Sequence, residues 1–471
     1  MILSHIRIFN HYLQSAYIFL GVMECGVLFL SVYLARYIRF TGEFDGTFYL
    51  GDIWFWRAVT FAGVMHCATF SMGVYQSQLR EGFVGMATRS VVAYCLLGSA
   101  LMILLSAFVG ALYFDNVVLF IAVVLSVFLV AIVRWVVFTI VDIRSLRRRV
   151  LLFGAGRQAR NLLEVIEKEG HPGVEIVGCV PSVDENEVEK SLRIAQPANW
   201  LRFVRENKIS EIVVAPDERR SRDGGSVPIG PLLDCKLAGV AVTDAIKFCE
   251  RETGAIELNL LNPSWMLFSE GFRYSQYRDV TKRLFDVIAA LLLFAMIWPF
   301  ALITALAVFL ESGGPVLYSQ MRTGQEGRAF KLYKFRSMCN GAEKDGKAVW
   351  AQVNDNRITK VGAFIRNTRL DELPQLYNVL KGDMSFVGPR PERPEIVCDL
   401  IKEIPYYDAR HRVKPGLMGW AQLKYPYGAS ISDSREKLRY DLYYSKNHGL
   451  LLDILILIQT AEIILLGKGV R

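Results

Sequence analysis

At 471 residues, with 52% hydrophobic residues and a mean hydropathy of +0.27, the chain is long enough for two or three domains and too apolar for an ordinary soluble protein. Its formal net charge of +8 would suit nucleic acid or anionic lipid. No zinc-finger spacing, recognition-helix pattern or RNA-binding aromatic signature accompanies that charge, so nucleic acid is set aside and phosphates and lipid remain as partners.

Four apolar segments match the roughly 20 residues a helix needs to cross a bilayer: Ala16 to Tyr37, Ile53 to Tyr75, Ser90 to Tyr113 and Val117 to Val141. The first lacks a small-residue cleavage pattern and reads as an anchor. Arg144, Arg147, Arg148 and Arg149 follow the fourth segment, Arg80 and Arg89 bracket the second loop, and Arg7 precedes the first segment. Positive residues stay in the cytoplasm, so both ends of the bundle are predicted there, although Arg36 and Arg39 fall on the opposite side. The eight cysteines include no CxxC pair, and Cys25, Cys67 and Cys95 lie inside apolar segments, as small core residues in a reducing compartment do.

Arg149 to Glu164 reads as a buried strand, a glycine turn and a helix, with further strands near Glu175 to Val180 and Glu211 to Ala215 and a helix at Pro231 to Leu237. Gly154, Gly156 and Ala159 form the GxGxxA of a Rossmann-like dinucleotide turn. Pro181 stands where an acid for the ribose is expected. The YxxxK pair Tyr377 and Lys381 lies far outside this domain, which favours a structural or regulatory role over an NAD-dependent dehydratase or epimerase. Asp217 to Gly230 is polar and glycine-bearing, a loop.

Leu284 to Leu310 is long enough to span a membrane, but Lys282 and Arg283 precede it and Arg322, Arg328 and Lys331 follow it. Both ends therefore belong on one side. Pro299, near the middle, removes a backbone hydrogen bond and supplies the break that a re-entrant helix needs. The final stretch, Leu450 to Leu466, is interrupted by Asp453, Gln459 and Glu462 and reads as lying on the membrane.

Two adjacent carboxylates, Asp371 and Glu372, stand just before Pro374 and therefore near a helix N-terminus. Arg322, Arg328, Lys331, Lys334 and Arg336 lie upstream and Arg390 lies downstream, so the acids sit among cations suited to an anionic substrate. A carboxylate can attack a phosphoryl group and split one transfer into two steps. Pro389 and Pro391 restrict the backbone around Arg390 and aim one guanidinium, whose fork fits phosphate oxygens. Arg336, Arg412 and Lys414 are further phosphate-binding candidates, and His411 reads as structural. The intact pairing of DELPQL with GPRP counts against a non-catalytic scaffold that merely binds anionic lipid.

The stretches KRLFDVIAALLLFAMIWP, YKFRSM, DELPQL, GDMSFVGPRP and KPGLMGWAQ resemble the bacterial sugar transferases that act on polyprenyl phosphate, over about Thr281 to Arg471. The N-terminal part resembles the large form of that family. The resemblance implies a four-helix transmembrane bundle (1–145), a Rossmann-like α/β cytoplasmic domain (146–265), a linker and re-entrant helix broken at Pro299 (266–311), and an α/β, mainly helical catalytic domain with a C-terminal membrane-associated helix (312–471). It implies that Asp371 attacks the sugar-bearing phosphate of a UDP-hexose, releases UMP, and passes the hexose 1-phosphate to undecaprenyl phosphate at the bacterial inner membrane, initiating exopolysaccharide or O-antigen assembly. Glucose is the first candidate sugar and galactose the second. Glu372 would be the second acid of the dyad, Lys334 and Arg366 would stabilise phosphate, Mg2+ would be held by Asp371 and Glu372, and the protein would be a homodimer. Many relatives carry Gly-Arg-Asn after Gly419-Trp420-Ala421-Gln422, where this chain has Lys424-Tyr425-Pro426-Tyr427-Gly428, so no sugar or nucleotide contact is carried over to that stretch.

Overall fold

A computed structural model describes residues 5–8, 11–40, 53–71, 86–87, 89–140, 148–169, 173–182, 185–217, 227–261, 263–269, 271–272, 276–339, 357–425, 428 and 430–466. The segment end 72–75, Arg80, Arg144, Arg147, the polar stretch 218–226 and Pro426-Tyr427 lie outside the described residues. The chain divides into two compact units, Met1–Thr253 and Gly254–Arg471.

In the first unit, long apolar sequences give the helices Ser15–Arg39, Ile53–Ser71 and Asn116–Ile140, and a π-helical turn at Ala93–Gly98 runs into Ser99–Phe108. Leu28, Phe61, Met65, Tyr94, Met102 and Val118 pack between the helices, while Phe108, Phe120 and Phe128 point outward, the reverse of a soluble protein's surface. Four helices among the described residues are long and apolar enough to cross a membrane: Leu20–Arg39, Arg89–Phe108, Asn116–Val137 and Gln276–Ser312. Only three belong to the N-terminal bundle. The 19-residue helix Ile53–Ser71 carries Arg57 and His66 and is not among the four.

The bundle also encloses an ion pair. Arg134 Nε and Nη2 lie 2.5 and 2.9 Å from the two carboxylate oxygens of Glu24, and Nη1 donates to Ser90 Oγ; the glutamate and the arginine are 0% and 1% exposed. A buried pair adds little over an apolar pair, but losing one partner strands a charge. Arg134→Met is therefore expected to cost about 3–5 kcal/mol in detergent unfolding, and adding Glu24→Gln is expected to recover most of it.

The α/β part is a four-stranded parallel sheet of Arg148–Phe153, Val174–Val180, Glu211–Val214 and Ala241–Asp244. The second strand lies outside the first, and the third and fourth follow on its other side. That is the predicted Rossmann-like alternation, with Leu151, Phe153, Val180, Ile212 and Trp200 in its core.

In the second unit, the predicted break at Pro299 does not interrupt the helix, which runs from Gln276 to Ser312 with the proline inside. One missing N–H bends a helix without having to end it. At the start, Arg283 donates to the carbonyls of Val379 and Leu380 at 2.5 and 2.6 Å, closing the C-terminus of the helix Gln375–Lys381. At the end, Glu311 accepts from Val361 N at 3.0 Å, closing the N-terminus of the helix Lys360–Asn367. Both ends thus rest on the same domain. The apolar stretch between them is hardly covered, with 11% of its membrane-length window buried.

The rest of the unit is an antiparallel hairpin, Leu317–Thr323 with Ala329–Phe335, a short parallel pair, Ser385–Val387 with Gly416–Met418, and helices that include Pro394–Glu403, Ile431–Asn447 and Leu450–Leu466. Its core gathers Ala290, Val379, Phe386, Val387, Leu438, Tyr444, Leu452 and Ile456.

Candidate active site

The acids are presented by a tight connection. The helix Lys360–Asn367 is capped by Thr359, whose Oγ1 accepts from Gly362 N at 2.9 Å. Arg369 then takes the left-handed conformation (φ 61°), unusual for a residue with a side chain, and a 3-10 turn covers Leu370–Glu372. Pro374 (φ −63°) leads into the helix Gln375–Lys381. Leu370 and Leu373 pack against the cluster of Val308, Phe335 and Ile365, which fixes the turn between them. The acids thus lie one turn ahead of the helix rather than in its first turn.

The hairpin delivers the cation. Asn378 locks strand to helix, its Nδ2 donating to Lys331 O (2.7 Å) and its Oδ1 accepting from Tyr333 N (3.2 Å). The next residue, Lys334, sets its ammonium 2.9 Å from Glu372 Oε1 and 3.8 Å from Asp371 Oδ2. Arg390 Nη2 and Arg369 Nη1 reach the same Glu372 oxygen at 3.3 and 3.8 Å. Burial disfavours the Glu372 charge, but Lys334, Arg390 and Arg369 together outweigh it and hold the carboxyl down at about 2. Asp371 goes the other way: burial raises it above its ordinary value, the neighbouring Glu372 charge adds to the rise, and Lys334 and Arg366 oppose it. The acidities of two adjacent carboxyl groups are thereby driven apart. Arg366 Nη1 is buried with no hydrogen-bond partner among the described residues, a donor left for an anion.

Arg390 sits in a bracket of accepted hydrogen bonds. Val387 O accepts from Lys282 Nζ (3.1 Å), Pro389 O from Gly416 N (2.9 Å), Arg390 O from Arg410 Nη2 (2.9 Å), Pro391 O from Arg322 Nη1 (3.2 Å) and Glu392 O from Thr323 N (2.9 Å). The two prolines have no N–H to give, so this segment is held through its carbonyls. Gly388 and Gly416 allow the two strand ends to touch, since a Cβ on either would strike the backbone of the other segment.

Of the predicted site residues, Asp371, Glu372, Lys334, Arg366 and Arg390 come together. Arg336 does not join them: its guanidinium donates to Ser312 O, Ser312 Oγ and Gly313 O and closes the end of the long helix. Lys414 lies in the field of Arg283, Asp286, Asp279 and Asp383, at the start of the long helix, and Arg412 has an exposed side chain. His411 pairs with Asp408 at 3.2 Å, in keeping with a structural histidine. The sequence reading passed over Arg369 and Arg410. Arg369 could have been found from its place in the RNTRLDE tract, whereas nothing in the sequence ties Arg410 to a carbonyl 20 residues earlier.

Among the described residues no group of three or more His, Cys, Asp or Glu side chains could hold a metal ion. The donor set still fits Mg2+, which takes one or two carboxylates and completes its shell with substrate phosphates and water. Asp371 and Glu372 already converge on one cation, the Lys334 ammonium.

The glycine turn of the α/β domain is filled from within. Asp217 accepts from Arg157 N (2.8 Å) and Gln158 N (2.7 Å), and Glu185 accepts from Ala155 N (2.7 Å), Ser182 N (3.3 Å) and Asp217 N (2.8 Å). A Cβ on Gly156 would overlap the Asp217 carboxylate, so this glycine makes room for an aspartate where a dinucleotide would bring its pyrophosphate. Tyr377 is exposed, and Lys381 pairs with Asp383 at 2.8 Å. Millimolar NAD or coenzyme A is expected to leave the melting temperature of the wild type unchanged. Asp217→Ala should lower that temperature, and sulfate should partly restore it by taking the vacated seat.

Two carboxyl groups of opposed acidity, ringed by four cationic side chains next to a long exposed apolar helix, define a membrane-associated site for phosphate-bearing substrates. Comparison with known proteins gives the family. A model described as bacterial sugar transferase matches residues 277–467, and one described as CoA-binding domain matches 71–220. The chain is 33% identical over 318 residues to the UDP-glucose:undecaprenyl-phosphate glucose-1-phosphate transferase of Klebsiella pneumoniae, covering 67% of each chain. It is 43% identical over 240 residues to the UDP-N-acetylgalactosamine-undecaprenyl-phosphate N-acetylgalactosaminephosphotransferase of Aeromonas hydrophila, covering 51% of this chain and 56% of that one. A UDP-glucose:undecaprenyl-phosphate glucose-1-phosphate transferase of Caulobacter vibrioides is 41% identical over 190 residues, covering 40% of this chain and 70% of that one. The chain belongs to the bacterial sugar transferase family, in the large form that carries a CoA-binding-like domain.

Proposed function

We propose that this chain transfers a sugar 1-phosphate from a UDP-sugar to undecaprenyl phosphate through an intermediate on Asp371. The observation that carries the reading is the Lys334 ammonium between two carboxylates of opposed acidity, with Arg366 Nη1 buried and unpaired among the described residues and Arg390 on the same Glu372 oxygen as Lys334. An Asp371 oxygen attacks the sugar-bearing phosphorus, the bond to the bridging oxygen breaks, and UMP departs with that oxygen. A phosphate oxygen of the lipid then attacks the same phosphorus, forming the diphosphate and returning the Asp371 carboxylate. Lys334, Arg366 and Arg390 bear the charge that develops on the phosphoryl oxygens. Glu372, ionised throughout, keeps Lys334 and Arg390 in place. Mg2+, held by the acids together with the donor's diphosphate, would neutralise charge on the departing UMP.

The long helix is read as re-entrant, bending at Pro299 while staying helical: its two ends are anchored on one domain by Arg283 and Glu311, which a simple crossing would place on opposite sides of the bilayer. Together with Arg144, Arg147, Arg148 and Arg149 after the fourth apolar segment, this supports a catalytic domain on the cytoplasmic face of the bacterial inner membrane, where UDP-sugars are made.

Because Asp371 must be ionised to attack and burial raises its pKa, the rate is expected to fall on the acid side through a pKa above the ordinary 3.8, while Glu372 remains charged down to about 2. Glu372→Gln removes a raising influence, so the acid limb of the pH–rate profile should move to lower pH in the residual activity. The direct test is UMP release in detergent with magnesium and undecaprenyl phosphate, using UDP-glucose, UDP-galactose and their N-acetyl forms. Lipid-dependent turnover of one donor supports the reading and names its sugar, between the glucose and N-acetylgalactosamine of the relatives or the galactose first considered. No UMP from any donor, with NAD-dependent sugar conversion in its place, would overturn it.

A further inference from the structure

The strand that leads into the Gly388-Pro389-Arg390-Pro391 loop is held by side chains from the long membrane helix, about 100 residues earlier in sequence. Asp286 Oδ1 accepts from both Ser385 Oγ and Phe386 N, each at 2.9 Å. One turn earlier, Lys282 Nζ donates to Val387 O (3.1 Å), to Tyr444 Oη (3.1 Å) and to Asp453 Oδ2 (2.7 Å), which uses all three of its protons. Tyr444 Oη lies 2.9 Å from Val387 O and 2.7 Å from Asp453 Oδ1. Asp286, Asp453 and Ser385 are all but sealed from solvent, at 2%, 0% and 0% exposure. None of these partners of Asp286 and Lys282 is one of the acids or cations at the Asp371–Glu372 site.

Charged groups buried in a protein core are costly, and the proposed chemistry uses neither Asp286 nor Lys282. From this geometry we infer that Asp286 and Lys282 are positioning residues for Arg390. They fix the backbone of Ser385–Val387, three residues before the arginine, and thereby tie the aim of its guanidinium to the seating of the helix that enters the membrane. The inference rests on the transferase reading for its kinetic consequence and on the geometry alone for its structural one. A displacement of about 1 Å at a phosphate-binding group can cost roughly 100-fold in rate. Because a single oxygen of Asp286 accepts both hydrogen bonds, an asparagine can replace it and a leucine cannot.

The test uses the full chain in lipid nanodiscs and two readouts. In hydrogen–deuterium exchange, Asp286→Leu should speed exchange across 385–393 and leave 360–381 as in the wild type, whereas Asp286→Asn should leave both unchanged. In UMP release at saturating donor, Asp286→Leu should lower kcat by 10- to 100-fold with KM for the donor within threefold, and Asp286→Asn should restore kcat to within threefold of the wild type. In an Arg390→Ala background the same leucine substitution should cost less than twofold further, because the group it positions is gone. An equal loss in both backgrounds, or unchanged exchange across 385–393, overturns the inference. If Asp286→Leu does not accumulate, Ser385→Ala, which removes one of the two donors, replaces it in the same cycle with an expected three- to tenfold loss. A wild type that releases no UMP from any donor would overturn the transferase reading, and the exchange data would still decide the positioning role.

Discussion

Asp371→Asn is expected to abolish turnover, lowering UMP release by roughly 10⁴-fold or more, while the protein folds and melts as the wild type does. The substitution keeps the shape of the side chain and removes the anionic oxygen that the proposed attack requires. Burial already raises the pKa of Asp371, so the neutral form that asparagine mimics is well accommodated in the turn between Leu370 and Leu373. A large change in stability is therefore not anticipated, and melting curves in the same detergent check this. A residual rate within tenfold of the wild type would remove Asp371 from the nucleophile's role and leave a direct attack of lipid on donor.

Lys334→Met should have the next largest effect, a loss of about 10²–10³-fold in kcat, the range seen when one donor to a developing anion is deleted. The ammonium is the one cation within 4 Å of both acids among the described residues. The substitution also removes the main influence that lowers the Glu372 carboxyl. Its sign is definite: Glu372 is held at about 2 against an ordinary 4.5, so its ionic contacts stabilise the fold above pH 4.5, and that stabilisation is lost as pH falls through about 2. Without Lys334 the loss should begin at higher pH, which acid unfolding followed by tryptophan fluorescence can measure. Lys334→Arg should not restore the rate, because a planar guanidinium cannot replace a compact ammonium between two carboxylates.

Much of this arrangement could be read from local sequence. The apolar segments, the strand-turn-helix at Gly154 and the acids at Asp371 and Glu372 each carry their signal within a dozen residues, and each was found where the residue types placed it. Contacts between distant segments could not be read in the same way. Arg336 looks like one more phosphate ligand in the YKFRSM stretch, yet it closes the end of the long helix. Pro299 looks like a break, but a helix tied down at both ends by Arg283 and Glu311 continues through it. The glycine turn looks open to a dinucleotide until Glu185 and Asp217 come back to it from about 30 and 60 residues further along the chain. Asp286 could have been suspected earlier, since an acid in a membrane-length apolar helix calls for a specific partner.

A half-reaction without lipid isolates the covalent step. Wild-type protein and the UDP-sugar that turns over best are mixed with magnesium in the absence of lipid, quenched in acid, and examined by intact-protein and peptide mass spectrometry. About one UMP is expected per active site, with the mass of one sugar phosphate added to the peptide containing Asp371 and discharged by undecaprenyl phosphate. UMP release that requires lipid from the first turnover, with no adduct at Asp371, would contradict the covalent step.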